Sequence, residues 1–309
     1  MQENFTGMQS TMSFKLLLTD VISPLGKALE HELEREPFKL LAPSAADLDW
    51  SDEQSLRAYF AKHQPDLIIN SRGWEEAFQA GGQSILVETV RQLAQICTDT
   101  SITEKAIPVI HLSSYSVFGG DSRGTHSEKD HVAPINDTGR AFVESERLIA
   151  EAFPKHIILR LSWVIGAYGD NLLTRLLGSF LAGASVSVNR HLRGAPTSLS
   201  DAARVAVAMA KQINCGADNW GVMHYCSSDA CTEDEFAEHL LQLLIQQQLL
   251  NAEPSLTLED SEPFDEPLSA ILGCRRARDY FGIQARSWRP SLLPLVKQWL
   301  HQREQRKSH

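Results

Sequence analysis

No apolar run in this chain approaches the ~20 residues that a membrane-spanning helix needs, and residues 1–13 are polar, without the apolar centre of a signal peptide. Met8 and Met12 each offer an alternative start, and residues 1–13 are expected to be disordered. Cysteine is sparse and unpatterned: five in 309 residues, at Cys97, Cys215, Cys226, Cys231 and Cys274. An odd, scattered set argues against a disulfide framework and for reduced thiols in the cytoplasm. His224, Cys226 and Cys231 stand close together, but no CxxC or paired-ligand spacing accompanies them. They read as buried thiols on a strand, and no metal is expected. Positive charge is short as well. A net charge of −10 repels a phosphate backbone and argues against broad nucleic-acid binding. The locally basic end, Arg303, Arg306 and Lys307, reads as a frayed, solvated tail. Internal repeats and low-complexity tracts are missing too.

What is present is an ordinary globular mixture, 43% hydrophobic and 22% charged. The length suits one large α/β domain carrying a smaller second lobe. Short apolar strands are expected at Phe14–Leu18, Phe38–Leu41, Asp66–Asn70, Ile107–Leu112 and His156–Leu161. Helical periodicity falls between them, at Leu25–Leu33, Gly82–Cys97 and Arg140–Ala152. That alternation predicts βαβ units and a doubly wound, Rossmann-like parallel sheet, with ligands at the carboxyl ends of the strands. After about residue 165 the rhythm changes. Helices are expected at Leu172–Leu181, Ala202–Gln212, Thr232–Leu250 and Ser291–Gln302, a strand at Val222–Cys226, and an acidic loop at Asn251–Pro267. Thr232 with Glu235 three residues on is capping-box spacing. The expected division is 14–165 for the Rossmann-like domain and 166–309 for a smaller α/β substrate lobe, with chain crossings between the two left open.

Five collinear blocks carry a family resemblance. They are DLDWSDEQSLRAYFAKHQPDLIIN (Asp47–Asn70), HLSSYSVFGG (His111–Gly120), GTHSEKDHVAPINDTG (Gly124–Gly139), LRLSWVIGAYGDN (Leu159–Asn171) and RGAPTSLSDAA (Arg193–Ala203). In this order, over roughly residues 14–285, the chain resembles the extended short-chain dehydrogenase/reductases of the dTDP-4-dehydrorhamnose reductase type. The resemblance implies a Rossmann-like fold, an NADPH site and a nucleotide-sugar pocket.

The departures from that pattern are informative. Where the family carries a T-G-x-x-G-x-x-G loop, this chain runs Thr19, Asp20, Val21, Ile22, Ser23, Pro24, Leu25, Gly26. Gly26 alone is kept, in the position that serves close helix–strand packing. Asp20 puts a carboxylate where a diphosphate would rest on a helix N-terminus, and Ser23 replaces another glycine. After the second strand, Ala42, Pro43 and Ser44 offer no charge to read a ribose. Where the family runs N-A-A-A beneath the cofactor, this chain has Asn70, Ser71, Arg72, Gly73. Arg72 has three readings: it blocks the groove, holds an anion of another ligand, or is solvated. The resemblance places the catalytic serine at Ser114, but the tyrosine position holds Thr138 and the lysine position Phe142. A threonine hydroxyl is shorter and far less acidic than a phenol, and phenylalanine has no charge to tune one. Tyr115, His126 and Tyr168 are the candidate substitutes for the lost acid.

The substrate side matches better, through Trp163, Asn171, Arg193, Pro196 and Thr197. Arg193 reads as an anion reader or as a surface arginine in a loop, and Trp163 as a stacking surface or as a core residue. The expectation is therefore a pseudoenzyme without cofactor. It would bind a nucleotide sugar or other phosphate-bearing molecule, a protein partner or a second copy, in a regulatory or scaffolding role. The alternative is an NADPH-dependent reductase of a nucleotide sugar, working through altered residues.

Overall fold

The computed structural model describes residues 13–119, 124–250, 254–263 and 265–307. The expectation of a disordered start lies outside these, except for Ser13. Six parallel strands form the central sheet: β1 (Lys15–Leu18), β2 (Lys39–Leu41), β3 (Leu67–Asn70), β4 (Val109–Ser114), β5 (His156–Leu161) and, late in the chain, a strand at Gly221–Tyr225. That late strand lies outside β5, and β2 lies at the opposite edge beyond β1. Leu16, Leu17, Leu18, Leu67, Ile68 and Ile69 are all fully buried, as expected of strands covered on both faces. Helices α1 (Pro24–Leu33), α2 (Glu53–His63), α3 (Gln83–Thr98) and α4 (Asp137–Ala152) supply the crossovers. The order of strands reverses between β1 and β3, which places the ligand crevice beyond their carboxyl ends.

The second body follows: β6 (Val164–Ile165), α5 (Leu172–Leu181), β7 (Val186–Asn189), β8 (Arg193–Gly194) and β9 (Thr197–Ser198). The chain then crosses back. Helix α6 (Leu199–Asn214) packs on α1, and β10 (Gly221–Tyr225) is the sixth sheet strand. This is the crossing left open by a simple division at residue 165. It leaves again through β11 (Cys231–Thr232), α7 (Glu233–Gln246), β12 (Leu256–Glu259), α8 (Arg275–Phe281) and α9 (Arg289–Lys307). Two expectations are corrected here. The acidic stretch 251–267 carries β12, which pairs in parallel with β7 and so is not all loop. The basic end is no frayed tail: α9 runs to Lys307, and the Arg303 guanidinium lies over the Trp299 ring. No helix among the described residues is long and apolar enough to cross a membrane.

Capping explains several boundaries. Thr232 and Glu235 form the reciprocal box that their spacing predicts, and Asn171 with Thr174 forms another at the start of α5. Asn136 caps α4 through the Gly139 N–H.

Beneath the sheet runs a buried polar chain. The Thr19 hydroxyl donates to Asn70 Oδ1, Asn70 Nδ2 donates to His111 Nδ1, His111 Nε2 donates to Ser145 Oγ, and Ser145 donates to the Phe142 carbonyl. Burial pushes His111 down to about 3, so its ring is neutral and can accept at Nδ1. Nearby, Arg160 grips Glu146 with two hydrogen bonds of 2.8 and 2.6 Å, and Ser113 donates a third to the same carboxylate. Such a pair is costly to break from one side.

Candidate functional site

Following β1, the chain turns directly into α1. Asp20 is only 7% exposed. Its Oδ1 accepts from the Ile22 N–H at 2.8 Å and from the Ser23 N–H at 3.2 Å. Ser23 then caps the helix by accepting from the Gly26 N–H, and Pro24 has no N–H to offer. The remaining donor, Leu25 N–H, is taken at 2.7 Å by Glu75, which reaches across from the segment after β3. A helix N-terminus normally presents these donors and a positive dipole end to an anion. Here the protein's own carboxylates and a hydroxyl occupy all four. Gly26 keeps its packing role: a Cβ there would stand 2.4 Å from the Asp20 carbonyl oxygen.

The segment after β3 is held by hydrogen bonds and ring packing. Asn70 is fully buried and spends its amide on Thr19 and His111. Arg72 lies 5.4 Å over the Trp50 ring and outside the cavity lining. Trp74 follows directly. Its indole N–H donates to the Ser113 carbonyl, and its ring packs on Phe78 and Phe142. Neither Trp74 nor Glu75 was singled out from the sequence, although a tryptophan directly after the Asn70–Gly73 block was a readable signal.

Thr138 and Phe142 stand on α4 behind this wall. The Thr138 hydroxyl donates to the Ala77 carbonyl, and Phe142 is fully buried against Trp74 and Phe78. Neither lines the cavity that opens between the two bodies, of about 670 Å³. Ser114 does line it, at the end of β4, but its hydroxyl is shared with Ser116. Tyr115 lines it as well. Burial pushes its phenol well above the usual tyrosine range, which argues against an acid active near neutrality. His126 is a packing residue, stacked on Phe118 at 4.0 Å with its ring held by the Ser269 carbonyl, and burial lowers its pKa. Tyr168 sits exposed on the rim, bonded to Gln298.

The substrate-side candidates divide. Trp163 lines the cavity and closes over Gly194, where a Cβ would meet the indole at 2.2 Å. Asn171 lines it too, but as the cap of α5. Arg193 is exposed and outside the lining; its backbone pairs with Leu268 and Ala270. Pro196 is likewise outside, and Thr197 is buried with its hydroxyl on Ala195 and Ser227. Arg193, read from the sequence as an anion reader or as a surface arginine, thus stands outside this lining. Among the described residues the lining cation is Arg175, paired with Glu233. Against it stand Glu75, Asp170, Glu233, Glu259, Asp265 and Glu266. Burial, with Asp20 and Glu76 nearby, pushes the Glu75 carboxyl up to about 7. Glu266 is raised as well, by burial and then by Glu233 and Asp265.

The RmlD substrate binding domain family matches residues 14–300, nearly the whole chain. This protein belongs to the RmlD family. A dTDP-4-dehydrorhamnose reductase of Aggregatibacter actinomycetemcomitans is 27% identical over 289 residues, covering 90% of this chain and 97% of that one. Among solved structures, the dTDP-4-dehydrorhamnose reductase of Bacillus anthracis str. Ames in complex with NADP superposes with a TM-score of 0.75 at 22% identity. It covers 93% of this chain and 100% of its own. MoeE5 in complex with UDP-glucose and NAD gives 0.70 at 19%, covering 93% and 99%. The RmlD fold is thus present along its full length, with the substitutions described above set at its switch point.

Proposed function

We propose that this RmlD-family protein keeps the cleft for a sugar-nucleotide ligand and does not carry out hydride transfer. The observation that carries this reading is the filled N-terminus of α1. A dinucleotide diphosphate would have to displace Asp20 and lie beside it. Two like charges ~4 Å apart at an effective dielectric near 20 repel by about 4 kcal/mol, roughly a thousandfold in affinity. Arg72 stands in the segment where the resemblance calls for small residues, and Thr138 and Phe142 lie outside the cavity lining. The residues at this place do not fit a nicotinamide dinucleotide. Trp163 offers a flat apolar face for a base or a sugar. Because the lining is acidic, binding of an anionic nucleotide sugar should strengthen with ionic strength, the reverse of an ordinary phosphate site.

A second reading, an NADPH-dependent reductase, has the relatives behind it, including the Aggregatibacter reductase and the NADP complex. One observation in the cavity favours it too: Glu75, poised near neutrality on the same lining as Ser114 and Tyr115, is a proton donor that Thr138 cannot be. Turnover decides between the two. With a dTDP-4-keto sugar and NADPH, the purified protein should oxidise NADPH no faster than the buffer. A rate on the order of 1 s⁻¹, abolished in Glu75→Gln, would establish the reductase reading. Saturation-transfer NMR with dTDP-glucose should show ligand contacts that Trp163→Ala loses. Failure to bind at any ionic strength would overturn the sugar-nucleotide proposal itself.

A further inference from the structure

Away from the cleft mouth, two thiols meet. Cys226 directly follows β10 and is 3% exposed; Cys274 caps the start of α8 and is partly exposed. They are separated by 48 positions in sequence, yet their sulfurs stand 3.7 Å apart. The Cys226 backbone N–H donates to Cys274 Sγ at 3.2 Å, and the Cys226 thiol donates to the Leu272 carbonyl at 3.2 Å. A disulfide needs ~2.05 Å between sulfurs and Cβ atoms about 3.8 Å apart, so closing this pair takes a shift of under 2 Å. The other cysteines do not share this arrangement: Cys97 and Cys231 are buried, and Cys215 is exposed at the end of α6.

We propose that Cys226 and Cys274 form a reversible disulfide that fastens the segment ending at residue 274 to the central sheet. That segment matters to the cleft, because Asp265 and Glu266 near its start belong to the cavity lining. It is already aligned by backbone bonds of Arg193 to Leu268 and Ala270, and of His126 to Ile271 and Gly273. The oxidant is of the peroxide class. The Cys274 thiolate attacks one peroxide oxygen, the O–O bond breaks, and hydroxide leaves, giving a sulfenic acid. The Cys226 sulfur then attacks Cys274 Sγ. The S–O bond breaks, and the Cys226 proton leaves with the departing oxygen as water. Two thiols and one hydrogen peroxide thus give one disulfide and two waters, and a dithiol reductant reverses the change. Cys274 is the attacking thiol because it is the more accessible of the two. Its thiolate is held by the Cys226 N–H and by the Cys226 thiol once that proton turns from the Leu272 carbonyl, and these bonds lower its pKa against the cost of burial.

The test uses the whole chain with Cys215→Ser, which removes the exposed thiol and its intermolecular chemistry. After mild hydrogen peroxide, denaturation and alkylation, mass spectrometry should find a Cys226–Cys274 cross-linked peptide, with Cys97 and Cys231 still alkylated. The melting temperature should rise by several degrees, fall back on dithiothreitol, and not respond to peroxide in Cys226→Ser or Cys274→Ser. Hydrogen exchange across 265–274 should slow in the oxidised form. The mass measurement stands even where a serine variant fails to fold. The proposal is overturned if Cys274 proceeds to sulfinic acid with Cys226 still alkylated, or if both thiols stay reduced under peroxide that oxidises Cys215 in the unmodified chain.

Discussion

Phe142 stands at the position that the resemblance gives to a lysine. Its ring is fully buried against Trp74 and Phe78. Restoring the family's pair by Thr138→Tyr with Phe142→Lys would bury an ammonium against two aromatic rings. An uncompensated buried charge costs on the order of 3–5 kcal/mol. The double variant should therefore melt well below the parent and gain no reductase activity; thermal denaturation beside an NADPH assay checks both. Thr138 and Phe142 were legible because the residues around them still match the pattern, and Asp20 and Ser23 because Gly26 fixes the register of their loop. Glu75 was not, because its importance lies in reach. Glu75 meets Leu25 from 50 positions away, and no local spacing announces such a contact. Arg193 is the converse: its motif matches, yet the residue is exposed and outside the cavity lining.

Among the elements, the contact between α1 and the turn after β3 makes a prediction in pH. The Glu75 carboxyl is raised from 4.5 to about 7, first by burial and then by Asp20 and Glu76, against the hydrogen bond from Leu25. The folded state therefore binds more protons than the unfolded chain between those values. The protonated form's stability is complete below pH 4.5 and is lost as pH rises through 7. With allowance for partial exposure the change is about 2 kcal/mol. Glu75→Gln keeps an acceptor for Leu25 but no charge, so urea titrations should find it more stable than the parent at pH 8 and nearly equal at pH 4.5. Histidines act in the opposite sense: His111 and His224, each held down to about 3 chiefly by burial, contribute stability above pH 6.5 that is lost as pH falls toward 3. Comparing variant with parent at each pH isolates Glu75. The strands and crossover helices of the first body were readable because a parallel sheet buries continuous apolar runs. Strand β12 was hidden, since the largely exposed LTLE segment at 256–259 sits in an acidic, proline-containing stretch and is fixed only by pairing with β7.

Across the whole molecule, the RmlD architecture is kept, and at its switch point the donors around the start of α1 are taken by Asp20, Ser23 and Glu75. The described lining of the cavity between the two bodies is acidic. The return of the chain through α6 and β10 ties both bodies to one sheet, so the cleft rests on the same core as the altered loop. The central claim is that the α1 N-terminus has no place for a dinucleotide. Isothermal titration of the purified protein with NADPH tests it most directly. The account predicts a dissociation constant weaker than about 100 μM, and Asp20→Gly should tighten it. A constant of about 10 μM or tighter for the unaltered protein, near −7 kcal/mol, would contradict it.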